Sequence, residues 1–148
     1  MRRGGLIRRF GRARGGATAV EFAIVVMPFI LLTFGVLEFG RLVWTRQALE
    51  EAAVAGARCM GVLSSSCASG GAYSATSTSS YIITRAQGWG VTLPTADVTL
   101  SNASSCAGVT GFSQVSIAYT FTSPVASLLS MSSTGVPLAI NACFPNQS

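Results

Sequence analysis

No histidine and no lysine occur anywhere in these 148 residues, and the two absences narrow the chemistry at once. Without an imidazole there is no Ser–His or Cys–His pair to activate a nucleophile. Acids are equally scarce. Asp97 is the single aspartate, and the neighbours Glu50 and Glu51 diverge on a helix, so paired-carboxylate chemistry has no site. No glycine cluster has the form of a phosphate-binding loop, and the four cysteines include no Cys-x-x-Cys pair of the kind that favours zinc. The sequence therefore offers no catalytic residues, no metal ligands and no cofactor site, and the expectation is a protein that is not an enzyme. Its length allows one domain plus an anchor rather than two independent cores.

What charge there is lies unevenly. Arg2, Arg3, Arg8, Arg9, Arg12 and Arg14 all fall within residues 1–16, which hold no acid. The remainder sets Arg41, Arg46, Arg58 and Arg85 against Glu21, Glu38, Glu50, Glu51 and Asp97, so the formal net charge of +5 belongs to the leader. A basic segment ahead of an apolar run reads as a topology signal, with the N-terminus in the cytoplasm and the C-terminal part exported. A nucleic-acid arm is the competing reading. Phe10 is its one aromatic for base stacking, and no nucleic-acid partner is expected.

From Phe22 to Leu37 there is no charged residue, and Glu21 and Glu38 bracket the run. The pattern predicts a helix from Ala17 to about Met60. Its first part spans a bilayer, which takes roughly 20 residues at about 1.5 Å each. Trp44 then falls one or two turns further on, at the outer interface. Pro28 cannot donate to the carbonyl of Ile24, so a kink or an opened turn is expected there. Glu21 is what a plain anchor does not need. A charge at the edge of hydrocarbon costs about 2.5 kcal/mol or more unless paired. Charge placement alone leaves it open whether Glu21 has a partner or is an interfacial acid at a helix end.

Past Arg41 the helix turns amphipathic, with Leu42, Leu49 and Gly56 spaced by sevens beside Ala52, Ala53 and Met60, and with Arg46–Glu50 and Gln47–Glu51 as solvated pairs. A Ser/Gly/Thr loop follows over Ser64–Ser80. Thr78 or Ser79 is expected to cap a short helix over Tyr81–Gln87, ended by Gly88 or Gly90. Period-two alternation then predicts strands at Val98–Ser101, at Gln114–Thr122 and from Val136 towards Cys143. Asn102-Ala103-Ser104 reads as a turn, and Ser127–Met131 as an apolar segment of undefined type. The fold class is α+β: a long N-terminal helix, membrane-spanning in its first half, and a small disulfide-bonded domain with about three antiparallel strands. The divisions are a leader over 1–16, a transmembrane segment over 17–40 and an exported domain over 41–148. Cys59, Cys67, Cys106 and Cys143 all follow the apolar run, which suggests two disulfides. Of three possible pairings the favoured one is Cys59–Cys67 with Cys106–Cys143, a preference that sequence leaves open.

The stretch Arg14-Gly15-Gly16-Ala17-Thr18-Ala19-Val20-Glu21-Phe22 resembles a class III signal of the type IV pilin superfamily. With Pro28 and Glu38-Phe39-Gly40-Arg41 added, the pattern is similar to TadE-like minor pilins, or pseudopilins, of the tight-adherence (Flp) branch. The resemblance is dense from Arg14 to about Gly61 and loose beyond. It implies cleavage by a prepilin peptidase between Gly16 and Ala17, Glu21 as the fifth residue of the processed chain pairing with the Ala17 amine of a neighbouring subunit, and Phe22 as the aromatic that follows it. The implied partners are the peptidase, other pilins and pseudopilins, and inner-membrane lipid. The implied place is the bacterial inner membrane, single-pass, with a periplasmic C-terminal domain that can enter an extracellular pilus for surface attachment. Bulk subunits of this branch are very short, so a domain of this size points to a minor one. The alternative is an unprocessed signal-anchor protein with a periplasmic binding domain. A secreted enzyme is set aside, because the nearest Ala-x-Ala, Ala53-Val54-Ala55, lies far beyond Leu37 with charges between.

Overall fold

A computed structural model describes residues 15–124 and 135–147. The leader up to Arg14 and the Ser127–Met131 segment lie outside the described residues. Helix α1 runs over Gly15–Gly61, then come β1 (Ala68–Ser69), β2 (Ala72–Tyr73), α2 (Ala75–Gly88), a 3-10 turn (Thr95–Asp97), β3 (Val98–Cys106), β4 (Val109–Phe121) and β5 (Val136–Pro145). The chain divides into two units, one ending at Phe39 and the other beginning at Gly40. The fold is α+β, as the patterning predicts, with the three long strands antiparallel in the order β3-β4-β5.

In the second unit the alanine-rich face of α1 supplies one wall of the core. Ala48, Leu49, Ala52, Ala53, Ala57 and Met60 are buried with Val115, Ile117, Ile140 and Ala142 of the sheet. Small side chains let the helix axis come close to the strands. A Cβ on Gly61 would stand 2.6 Å from Phe144 Cδ1, while the Arg41 guanidinium lies 5.8 Å from the centre of the Phe121 ring. Phe121 pairs with Val136 and Phe112 with Pro145 at opposite ends of the β4–β5 ladder, so α1 runs alongside the sheet and parallel to β5. The lengths agree: Arg41 to Gly61 rises about 30 Å as helix, and Val136 to Phe144 extends about 27 Å as strand.

Local chemistry explains the helix ends. At the end of α1, Ser64 N–H bonds to Cys59 O and Leu63 N–H to Met60 O, with Leu63 at φ 49°. This is a Schellman closure that uses leucine where glycine is usual. At the end of α2 the same pattern recurs with Val91 N–H to Ala86 O, Gly90 N–H to Gln87 O and Gly90 at φ 78°, so Gly90 is the stop the sequence suggests. The start of α2 is a correction. The helix begins at Ala75, capped by Ser74 Oγ, which accepts from Ser77 N–H at 3.3 Å. Thr78, expected as a cap, is instead the fourth residue of the helix and fully buried, and its hydroxyl donates to Ser74 O at 2.8 Å.

The strands are longer than their alternation predicts. Within the Ser/Gly loop, Gly70 and Gly71 turn a two-residue hairpin, pairing Ala68 with Tyr73 and Ser69 with Ala72. Asn102-Ala103-Ser104 is not a turn but part of β3, where the pairing to β4 shifts between Ser101 and Ser104 and again at Ser105. The turn is Ala107–Gly108, both at positive φ, as a two-residue hairpin loop requires. Polar residues on the open face of a bulged strand give no period-two signal.

Candidate functional site

The motif residues occupy the first turns of α1. Gly16 and Ala17 lie in its opening turn, and Glu21 follows Ala17 four residues later, about 6 Å further along the axis. Glu21 is exposed, and Phe22 keeps 69% of its surface. A Cβ at Gly16 would meet nothing within 4 Å. Nothing in the described fold therefore demands glycine there, although alanine would favour the helix by about 1 kcal/mol. Whatever requires glycine at position 16 lies outside these contacts.

The first unit exposes apolar side chains on every face, among them Ile24, Val25, Met27 and Ile30. Its most apolar window is 0% buried, and α1 is the one described helix long and apolar enough to cross a membrane. Contiguous apolar surface on this scale has to be covered by something other than water. Pro28 sits inside the unbroken α1, and Thr33 Oγ1 donates to Phe29 O at 2.8 Å in the next turn.

The second unit carries the cysteines, and the structure pairs them in the favoured way. Cys59 joins Cys67 (Cα–Cα 5.9 Å), stapling the end of α1 to the strand entering the small hairpin, and Cys106 joins Cys143 (6.6 Å). The second bond reaches from β3 to β5 across the central strand. Two strands that flank a third stand about 9.6 Å apart in a flat sheet, so the β3–β4 tip has to curl, and the register shifts at Ser101–Ser105 let it do so. No cysteine is free, and among the described residues no group of acids and cysteines could hold a metal.

Clefts lined by the described residues of this unit are open to solvent. One of about 360 Å³ is lined by Glu51, Arg58, Tyr81 and Arg85 among others. Arg85 Nε donates to the Tyr81 hydroxyl at 3.2 Å, which holds the guanidinium pKa above its ordinary value. Tyr73 lines a separate cleft with Ser113 and Asn146, and partial burial pushes its phenol up. A polar clasp, in which Ser113 donates to Asn146 Oδ1 and Asn146 Nδ2 donates to Asn102 O, has no local signature, because its members come from β3, from β4 and from the residue after β5.

Residues 16–58 match the family model of TadE-like proteins. Over that segment the chain is similar to TadE-like proteins. The matched segment is α1 almost entire, holding Gly16, Ala17, Glu21 and Phe22, and it stops before the loop and the sheet. No curated protein and no solved structure matches the chain. The match suggests a pilin-like, pilus-associated protein, and the apolar helix suggests membrane anchoring.

Proposed function

We propose that this TadE-like chain is a structural minor pilin, cleaved by a prepilin peptidase after Gly16 and taking part in assembly of a tight-adherence pilus for surface attachment. Residues 17–40 anchor it in the bacterial inner membrane, with the N-terminus cytoplasmic and residues 41–148 periplasmic. The observation that carries the reading is the TadE-like match falling on a helix whose apolar surface is bare and whose one early acid is Glu21. In low dielectric, an ammonium and a carboxylate attract strongly, while either one left alone is penalised. A Glu21 paired with the Ala17 amine of a neighbouring pilin therefore rewards correct axial register. Glycine at 16 suits a protease cleft that must admit bare backbone, and it is otherwise unexplained by packing.

One observation favours the alternative, an unprocessed signal anchor with a periplasmic binding domain: the Gly16–Ala17 bond is helical, and a protease needs it extended. A first turn led by two glycines unwinds at little cost. Co-expression with a prepilin peptidase, followed by intact mass of the membrane-extracted protein, decides between the two. The expected product lacks residues 1–16, and Gly16→Trp should abolish the shortening. An intact N-terminus in cells with active peptidase would refute the pilin reading.

A further inference from the structure

The chain has two tryptophans, and the fold brings them together from positions 45 residues apart. Trp44 stands on α1, and Trp89 follows the last residue of α2. Their ring centres are 5.6 Å apart at an interplanar angle of 70°, and Trp44 Nε1–H donates to Trp89 O at 3.2 Å. Yet the pair is not core: Trp44 is 56% and Trp89 46% exposed. A soluble domain gains most by burying side chains of this size. Here two rings support one another edge to face and leave apolar surface outward.

We propose that Trp44 and Trp89 form a two-ring anchor that seats the folded domain on the outer phospholipid interface of the membrane. The inference rests on the membrane-anchored reading above. Trp44 is seven residues past Leu37, where the uncharged run ends. Helical side chains lean back towards the N-terminus, which brings the indole down into the headgroup layer, the zone where tryptophan concentrates. Arg41 lies one turn nearer the apolar run, over the Phe121 ring, and Val136, the strand partner of Phe121, is exposed at the same end of the sheet. A guanidinium among aromatic and aliphatic groups suits a phosphate-bearing surface. The nearest acid in the Trp44–Trp89 cleft, Glu51, sits two turns further along α1. One tryptophan on a helix leaves the domain free to roll about that axis. A second, delivered from α2, gives another point of contact and so fixes which face of the domain is presented away from the lipid.

Because these are the only indoles, their fluorescence isolates the site. Full-length Trp44→Phe and Trp89→Phe variants are reconstituted in phospholipid vesicles whose acyl chains carry bromine either near the glycerol or near the methyl end. Flotation after a carbonate wash is checked first, and a chain that does not float refutes the anchored reading itself. For a chain that floats, the proposal expects shallow bromine to quench both remaining indoles, each more than deep bromine does. Quenching of Trp44 alone, with Trp89 answering only to an aqueous quencher, would overturn it. If either variant fails to form its disulfides, fluorotryptophan-labelled wild type serves instead. Headgroup-borne spin label should broaden both fluorine resonances, and one sharp resonance would refute the anchor.

Discussion

At the scale of single residues, the helical glycines of α1 separate by what surrounds them. Gly16, Gly35 and Gly40 have open space where a Cβ would go. Gly56 does not: a methyl there would stand 2.5 Å from Ile82 Cγ1 and 2.6 Å from Cδ1, and Ile82 is fully buried. At Gly61 the obstacle includes backbone, Pro145 O at 2.9 Å, which cannot change rotamer. Gly56→Ala and Gly61→Ala are therefore expected to destabilise the domain by about 1–3 kcal/mol through overpacking. That outweighs the gain of about 1 kcal/mol in helix propensity. Thermal melts followed by near-ultraviolet dichroism of the tryptophan pair measure this, with Gly61→Ala the larger loss. The sequence places Gly56 on the buried face by its spacing from Leu42 and Leu49, but it gives no sign of what Gly56 touches.

At the scale of elements, the two disulfides do unequal work. Cys59 and Cys67 are 6% and 0% exposed, whereas Cys143 is exposed and Cys106 half-buried. Separations of 8 and 37 residues correspond, by chain entropy, to about 2.5 and about 4 kcal/mol. The more accessible bond is thus also the one worth more. Graded reduction with mass-spectrometric alkylation should open Cys106–Cys143 first. Replacing that pair by serine should lower the melting temperature more than replacing Cys59 and Cys67. Native protein should take no thiol label without reductant and four with it. The strands show why alternation is legible only where one face is buried. Val115, Ile117 and Phe121 announce β4 because they meet the core, while Val109–Ser113 and the Asn102 region, mostly exposed, do not.

At the scale of the whole molecule, the proposed pilin role makes Glu21 the residue on which assembly turns. Glu21→Ala should leave membrane insertion and cleavage intact, since a charge leaves the membrane edge. It should abolish crosslinking from the membrane helix to partner pilins, because an ammonium buried without its carboxylate costs several kcal/mol. Glu21→Lys should be worse, as it sets two cations together. Wild-type levels of crosslinking and piliation in Glu21→Ala would reduce Glu21 to an acid that merely ends a helix.

The apolar run, its bracketing acids and the arginine leader are local in sequence. The long helix, the α+β class and the TadE-like motif could therefore be read without coordinates, since each rests on periodicity or on neighbours a few residues apart. What joins distant positions needed the tertiary structure. The cysteine pairing was one choice of three until β3 and β5 were laid beside β4. The Ser74 cap could be told from Thr78 only once Thr78 was seen facing inward. Trp89 carries no signal of its own in a loop after a weakly patterned helix. It acquires a role only because the core of Leu49, Ile82 and Ala86 packs α2 against α1 and sets its ring beside Trp44.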